Sequence, residues 1–408
     1  MTQTATALEL DSEQTTKLHA LYRRLHAHPE LSMQEHATAQ LIEEQLDRLG
    51  VEHFRCGGTG VVGVLRNGEG PVVAFRADTD GLPIEEATGL EYASTDKGML
   101  DGAEVPVMHG CGHDTHVASL LGATEILVGN RDAWSGTLIL IFQPGEETAA
   151  GALAMLDDGL WDKAPRPDVV FGQHVMPRPV GTVSISSGPV AAMADSLRVT
   201  VHGQQSHGSQ PQDSIDPIVM AAHMVTRLQT IVSRELDPRK SAVVTVGTFH
   251  AGLKENIIPA SAEFTLNIRT FDEDVRGQVL AAVRRIIEAE AAASGAPTPQ
   301  IEELYRFPQC YNDPDAVPSV LEALRGALGA ESVEVTPPMM GSEDFGHLGT
   351  AIGVPSVFWM FGGTPASAFE GPVPVPVNHS PYFAPELEGS LAGGVSAAVA
   401  VLLSRLGN

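Results

Sequence analysis

Cysteine is scarce. Three residues in 408, Cys56, Cys111 and Cys310, cannot all be paired, so a disulfide framework is not expected. Basic side chains are also few: 25 Lys and Arg stand against 51 Asp and Glu, a formal charge of −26. Such a surface repels phosphate and anionic headgroups, which argues against nucleic acid and membrane as partners. No unbroken apolar run looks long enough to cross a bilayer. The opening Met1-Thr-Gln-Thr-Ala-Thr-Ala7 lacks the basic and apolar regions of a signal peptide. A reducing cytoplasm is the expected setting. No repeat of fixed period is visible either.

What remains is ordinary globular composition, 43% hydrophobic, in a chain too long for one typical core. Residues 12–49 read as two helices broken at His28-Pro29-Glu30, the second ended by Gly50. The four histidines here, His19, His26, His28 and His36, are expected to be solvated or hydrogen-bonded rather than ligands. Residues 59–66 and 72–75 read as strands, and Asn67-Gly-Glu-Gly70 between them suggests a hairpin. A helix after His113, with Val117, Leu120, Leu121, Thr124, Leu127 and Val128 at helical spacing, is followed by strands at 137–142 and 168–175. Strands alternating with helices predict an α/β fold with a mainly parallel sheet, whose functional groups gather beyond the strand ends.

The texture changes near Pro189. A strand (197–201), a polar loop, a helix (215–236), two strands (243–249 and 262–269) and a helix (275–293) form a β-α-β-β-α unit. The α/β texture returns near residue 305, with a helix at 316–328 and an apolar strand at 354–358. The expectation is therefore a larger α/β domain of residues 1–190 and 305–408 with a smaller α+β domain, 191–304, inserted in it.

Chemistry concentrates in Met108-His-Gly-Cys-Gly-His-Asp-Thr-His-Val117. Cys111 and His113 sit two residues apart in a glycine-bent turn that runs into a helix, and thiolate with imidazole suits zinc. A small buried thiol would give the same pair of letters. Adjacent acids follow the next strand in Gln143-Pro-Gly-Glu-Glu147. A hydrolytic metal site needs one carboxylate as ligand and another to move the water proton, and a Pro-Gly turn could re-aim neighbours that a strand would point apart. An acidic turn in an acidic protein remains the alternative. His174, near a strand end, and His379, after a loop rich in Pro, Gly and Ala, could likewise be plain core and loop histidines.

Six stretches in order carry a resemblance: Met-His-Gly-Cys-Gly-His-Asp-Thr-His, Gln-Pro-Gly-Glu-Glu, Gly-Gln-His-Val-Met-Pro, His-Gly-Ser-Gln-Pro, Gly-Ser-Glu-Asp-Phe and Asn-His-Ser-Pro-Tyr-Phe. Together they resemble the amidohydrolase branch (subfamily D) of the M20 metallopeptidases, the aminoacylase, hippurate hydrolase and auxin-conjugate hydrolase group. It extends from His28-Pro-Glu-Leu-Ser to the last motif. It implies Cys111, His113, Glu147, His174 and His379 as metal ligands and Glu146 as general base. It implies His207 as a lid-domain histidine that polarises the scissile carbonyl in the site of a dimer partner. Asn256 and Arg269 resemble the lid groups that hold the substrate carboxylate, and a guanidinium suits that task. His109 and His116 match motif histidines that are not ligands.

One stretch departs from the broader family. Its His-x-Asp signature is replaced by Arg76-Ala-Asp-Thr-Asp80, as in the amidohydrolase branch, so Asp78 and Asp80 are expected to orient ligands rather than bind metal. The resemblance implies two divalent metal ions per subunit. Thiolate and imidazole favour zinc, while manganese, cobalt or nickel also occupy such donors. The expected reaction is hydrolysis of the amide of an N-acyl amino acid by a homodimer joined through the lid domain. Two alternatives stand: an aminopeptidase or dipeptidase on the same scaffold, and a non-catalytic metal-binding protein, against which the paired Glu146 and Glu147 argue.

Overall fold

A computed structural model describes residues 8–407. The N-terminal stretch 1–7, considered above for a signal peptide, lies outside them. Asp11 opens the first helix, Ser12–Ala27: its carboxylate accepts from Glu13 and Gln14 N–H, and Gln14 reaches back to the Asp11 N–H. After the break at Pro29, the helix His36–Leu49 buries Leu41, Ile42, Leu46 and Leu49 and stops at Gly50, whose φ of 66° is left-handed. The chain then divides into two compact units. The first comprises the residues up to Val190, Cys310–Pro338 and the chain from Asp344 onward.

This unit holds an eight-stranded sheet. Its order is Glu52–Cys56, Gly60–Asn67, Gly136–Gln143, Val72–Asp78, Val169–Pro179, Ser356–Thr364, Val183–Ile185 and Val333–Val335. The four central strands, from Gly136–Gln143 to Ser356–Thr364, are mutually parallel. Two antiparallel strands flank them on one side. Both faces are covered, so the central strands read as continuous apolar runs, such as Leu138–Phe142, which is wholly buried. Fully burying side chains of this size is worth roughly 1.5–3 kcal/mol each.

The hairpin expected around Asn67-Gly-Glu-Gly70 does not form. Gly136–Gln143 lies between the two strands, antiparallel to the first and parallel to the second. Gly70 makes room for it: a Cβ there would lie 2.9 Å from Gly136 Cα. The helix Leu387–Leu406 corrects a second expectation, because by length and composition it is apolar enough to cross a bilayer. Here it is a core helix. It packs against the helix His113–Gly129 and buries Leu391, Val395, Ala398 and Leu402 in the main core.

The second unit comprises Ala191–Gln309 and Met339–Glu343. Its sheet has four strands in the order Ala242–Ala251, Ser261–Thr270, Met193–His202, Gln300–Phe307, all antiparallel. The helices Pro217–Leu228 and Glu273–Ala293 supply Met220, Met224, Val279, Val283 and Ile287 to a separate core. The return expected at residue 305 therefore falls inside a strand. Gln300–Phe307 pairs with Met193–His202, and the unit extends to Gln309. Exposed Glu302, Glu303 and Leu304 hide the alternation that would mark it as a strand.

Candidate metal centre

In the first unit the chemistry-bearing side chains come from the carboxyl-terminal ends of the parallel strands and the loops beyond them, where α/β sheets place their sites. Asp78 ends Val72–Asp78, and Glu146 and Glu147 follow Gly136–Gln143. His174 sits in Val169–Pro179, and His379 in the loop after Ser356–Thr364. Cys111 precedes the helix His113–Gly129, whose N-terminal flank is Gly112 at φ 83°. A Cβ at Gly112 would lie 2.4 Å from Val175, so glycine lets this turn press onto the His174 strand.

The five sequence-predicted ligands meet in one pocket. Cys111, His113 and His174 each offer an atom within 4.8 Å of the others, as do Cys111, Glu147 and His379. His113, Glu146 and Glu147 form a third such group, so Glu146 borders the same space. Cys111 Sγ lies 3.4 Å from His174 Nε2, and Glu147 Oε1 lies 3.1 Å from His379 Nε2. His379 has a φ of 68°, rare for a non-glycine residue, and its N–H donates to Gly110 O at 2.8 Å.

A second layer orients these groups. His113 Nδ1 lies 3.1 Å from Asp80 Oδ1, and His174 Nδ1 lies 2.7 Å from Val175 O. Each contact leaves Nε2 for the pocket. His116 differs: Val175 N–H donates to its Nε2 at 2.7 Å, and its Nδ1 meets Asp78. Neither nitrogen is left to coordinate, as expected for this residue. Arg76, fully buried, holds Asp78 at 2.6 Å, Gln143 at 3.0 Å and Asp344 at 3.1 Å.

The donor set fits divalent cations. His113 Nε2 is buried without a hydrogen-bond partner, in a pocket that also holds a thiol, a carboxylate and two more imidazoles. Electrostatics point the same way. Burial and the nearby Glu147 raise the Cys111 pKa, and hydrogen bonds to Cys111 and Glu147 raise that of His379 to about 10. Burial alone would lower the His113 pKa, but Asp78 and Asp80 more than offset it and carry it well above the ordinary range. The carboxylates that raise His113 and His379 would also favour a bound cation, while burial and the neighbouring His116 push the His174 pKa well below its ordinary value, which suits a neutral ligand.

In the second unit, His207 and Asn256 are neighbours. Ser206–His207 pairs with Ile257–Ile258, and Gly208 N–H donates to Asn256 O at 2.8 Å. The exposed His207 ring accepts the Ser209 N–H at Nδ1 over 3.1 Å, which leaves the ring proton on Nε2. Arg269 is half-buried and held: Nε donates to Asn267 Oδ1 at 2.7 Å, and a terminal nitrogen to Ser342 Oγ at 2.6 Å.

Two contributors escaped sequence reasoning. Asn378 donates toward Cys111 O at 3.2 Å and Val175 O at 3.3 Å, tying three ligand-bearing segments together. Its adjacency to His379 was the only signal. Glu35 approaches the Glu146–Glu147 turn from far away in sequence. The spacing Ser32-x-x-Glu35 before a helix imitates a capping box.

Residues 74–403 match the sequence model of Peptidase family M20/M25/M40. Thermostable carboxypeptidase 1 of Saccharolobus solfataricus is 39% identical over 331 residues, 79% of this chain and 80% of that protein. The hippurate hydrolase of Campylobacter jejuni is 38% identical over 329 residues, 79% and 82% of the two chains. The crystal structure of the Bacillus subtilis YXEP protein, described as a dinuclear metal binding peptidase, matches with a TM-score of 0.76 and 31% identity, covering 97% of this chain and 100% of that one.

Proposed function

We propose a function from one premise: this chain belongs to peptidase family M20/M25/M40. It is a metal-dependent hydrolase that cleaves the amide bond of N-acyl amino acids, giving a carboxylic acid and a free amino acid. The observation that carries this reading is the pocket in which Cys111, His113, Glu147, His174 and His379 converge with Glu146 at its border. These five residues would hold two divalent ions, with zinc the best match to a thiolate and imidazoles. When bound, such ions acidify water and polarise an amide carbonyl.

Glu146 takes a proton from the attacking water as its oxygen bonds to the amide carbon. It returns that proton to nitrogen as the C–N bond breaks, so acid and amine leave with atoms balanced. His207 offers its Nε2–H to the carbonyl oxygen as negative charge develops there. Arg269, with Asn256, receives the carboxylate of the amino-acid portion. A carboxypeptidase and a hippurate hydrolase have that in common, because both substrates carry a free carboxylate on the leaving amino acid.

The protein acts as a homodimer in which His207 serves the partner's site. This is supported by the exposure of His207 and by the edge strand Ala242–Ala251, where Val243 and Phe249 are exposed. The setting is a reducing cytoplasm, consistent with three cysteines that form no disulfide. The decisive assay presents zinc- or manganese-loaded protein with hippurate, other acyl amino acids, and the matching dipeptides with a free amine. Cleavage confined to the free-amine substrates would make it an aminopeptidase or dipeptidase. Tight metal binding with no turnover of either set would leave a metal-binding protein.

A further inference from the structure

Glu35 immediately precedes the helix His36–Leu49, yet it does not cap that helix. Glu30 does so instead, accepting from Ala37 and Thr38 N–H at 3.0 and 2.8 Å. The Glu35 side chain is fully buried and points elsewhere. Its Oε1 accepts the N–H groups of Met33 and Gly145, each at 2.8 Å, and its Oε2 lies 2.5 Å from Thr59 Oγ1. Two segments remote in sequence and the residue's own loop thus converge on a single carboxylate. A buried acceptor with all its donors in place is a fixed point, since leaving any of them unpaired costs roughly 1–3 kcal/mol.

Gly145 opens the turn that carries Glu146 and Glu147. Its φ is 55°, and a Cβ there would lie 2.5 Å from Met33 Sδ. The turn closes on Ala149 at φ 56°, a left-handed conformation that a non-glycine residue keeps only when its surroundings enforce it. The loop that bears Glu35 holds the turn a second time. Ser32 Oγ donates to Asp80 Oδ2 at 2.6 Å, and the same oxygen accepts Glu147 N–H at 3.1 Å. So residues 32–35 fix the turn directly at Gly145 and through Asp80 at Glu147.

We propose that Glu35 is a positioning residue: by fixing the Gly145 N–H, with Thr59 steadying its other oxygen, it sets the aim of Glu146 and Glu147. This rests on the assignment of Glu146 as base and Glu147 as ligand. Glu35 touches neither substrate nor reacting atoms. Its influence is geometric, and a displacement of about 1 Å in such a site can cost on the order of 10²-fold in rate.

Two substitutions separate geometry from charge. Glu35→Gln keeps an acceptor oxygen for both amides and turns an N–H toward Thr59 Oγ1. Glu35→Asp keeps an ionisable carboxyl group but withdraws it by one methylene from Gly145. In the full-length, zinc-loaded protein, amide hydrogen exchange across residues 143–149 should match the parent in Glu35→Gln and quicken about tenfold or more in Glu35→Asp. The kcat should follow the same order, falling roughly 10–100-fold in Glu35→Asp with KM little changed. Unaltered exchange in Glu35→Asp overturns the proposal. So does a Glu35→Gln protein as impaired as Glu35→Asp, because charge rather than reach would then matter. Glu35→Ala is the severest variant, and should it fail to fold, the Gln and Asp pair still decides. If the parent itself hydrolyses no acyl amino acid, the assigned activity falls, while exchange and zinc titration still judge the role of Glu35.

Discussion

Asp80 joins two of the pocket's donors through one carboxylate: Oδ1 lies 3.1 Å from His113 Nδ1, and Oδ2 accepts the Glu147 N–H at 3.1 Å. An imidazole held this way presents Nε2 in a fixed direction and becomes a stronger donor. Asp80→Ala should therefore weaken zinc binding by roughly 10–100-fold with little change in secondary structure. Calorimetric titration of zinc into the metal-free protein measures this directly. An affinity equal to the parent's would remove Asp80 from the support of the centre.

Glu146 and Glu147 are adjacent but are asked to do different things, so their substitutions should part company. Glu146→Gln preserves shape and removes the proton acceptor. Metal content should stay at the parent level while turnover drops about 10²–10⁴-fold. Glu147→Gln should lose metal as well as activity. Metal analysis beside initial rates distinguishes them, and a Glu146→Gln enzyme within about tenfold of the parent would move the base elsewhere.

How much of this was legible in the sequence depended on whether a residue's partner lies nearby in the chain. The helix from His113 to Gly129 could be read because its spacing and its flanking glycines are local signals. The Asn67–Gly70 hairpin was misread because a turn motif is also local, while the strand inserted beside it arrives about 70 residues later. The ligand set was named through motif order, not spacing. His174 and His379 carry no local mark, and only folding brings them to Cys111. Glu35 and Asn378 were missed for the same reason, as their partners are backbone groups, which no residue pattern announces.

Arg269 offers a test of substrate polarity. Asn267 and Ser342 hold its guanidinium, so a substrate carboxylate would meet an already oriented donor. Arg269→Ala should raise KM for acyl amino acids roughly 10–100-fold, the equivalent of a charge-assisted hydrogen bond worth about 1.5–3 kcal/mol, with a smaller change in kcat. Substrates whose carboxylate is esterified should be hardly affected. Equal losses on acids and esters would show that Arg269 does not read the carboxylate.

His26, bonded to the neighbour of His113, ties the stability of the first unit to pH. Its ring is fully buried between Asp114 Oδ2 at 2.7 Å and Glu86 Oε1 at 3.1 Å. Burial by itself lowers its pKa, but the charge of Asp114 and the hydrogen bonds to both carboxylates outweigh this and lift it to about 10. A histidine whose pKa is raised on folding gives its full stabilisation below the unfolded value near 6.5 and loses it as pH climbs through the folded value. Each unit of that rise corresponds to about 1.4 kcal/mol. Metal-free protein should therefore unfold at progressively lower urea as pH goes from about 6.5 to 10. In His26→Gln, which cannot carry the charge, overall stability should be lower and that portion of the slope absent. Parallel slopes in the two proteins over this window would mean that the ring is already neutral in the folded state and that Asp114 and Glu86 find their compensation elsewhere.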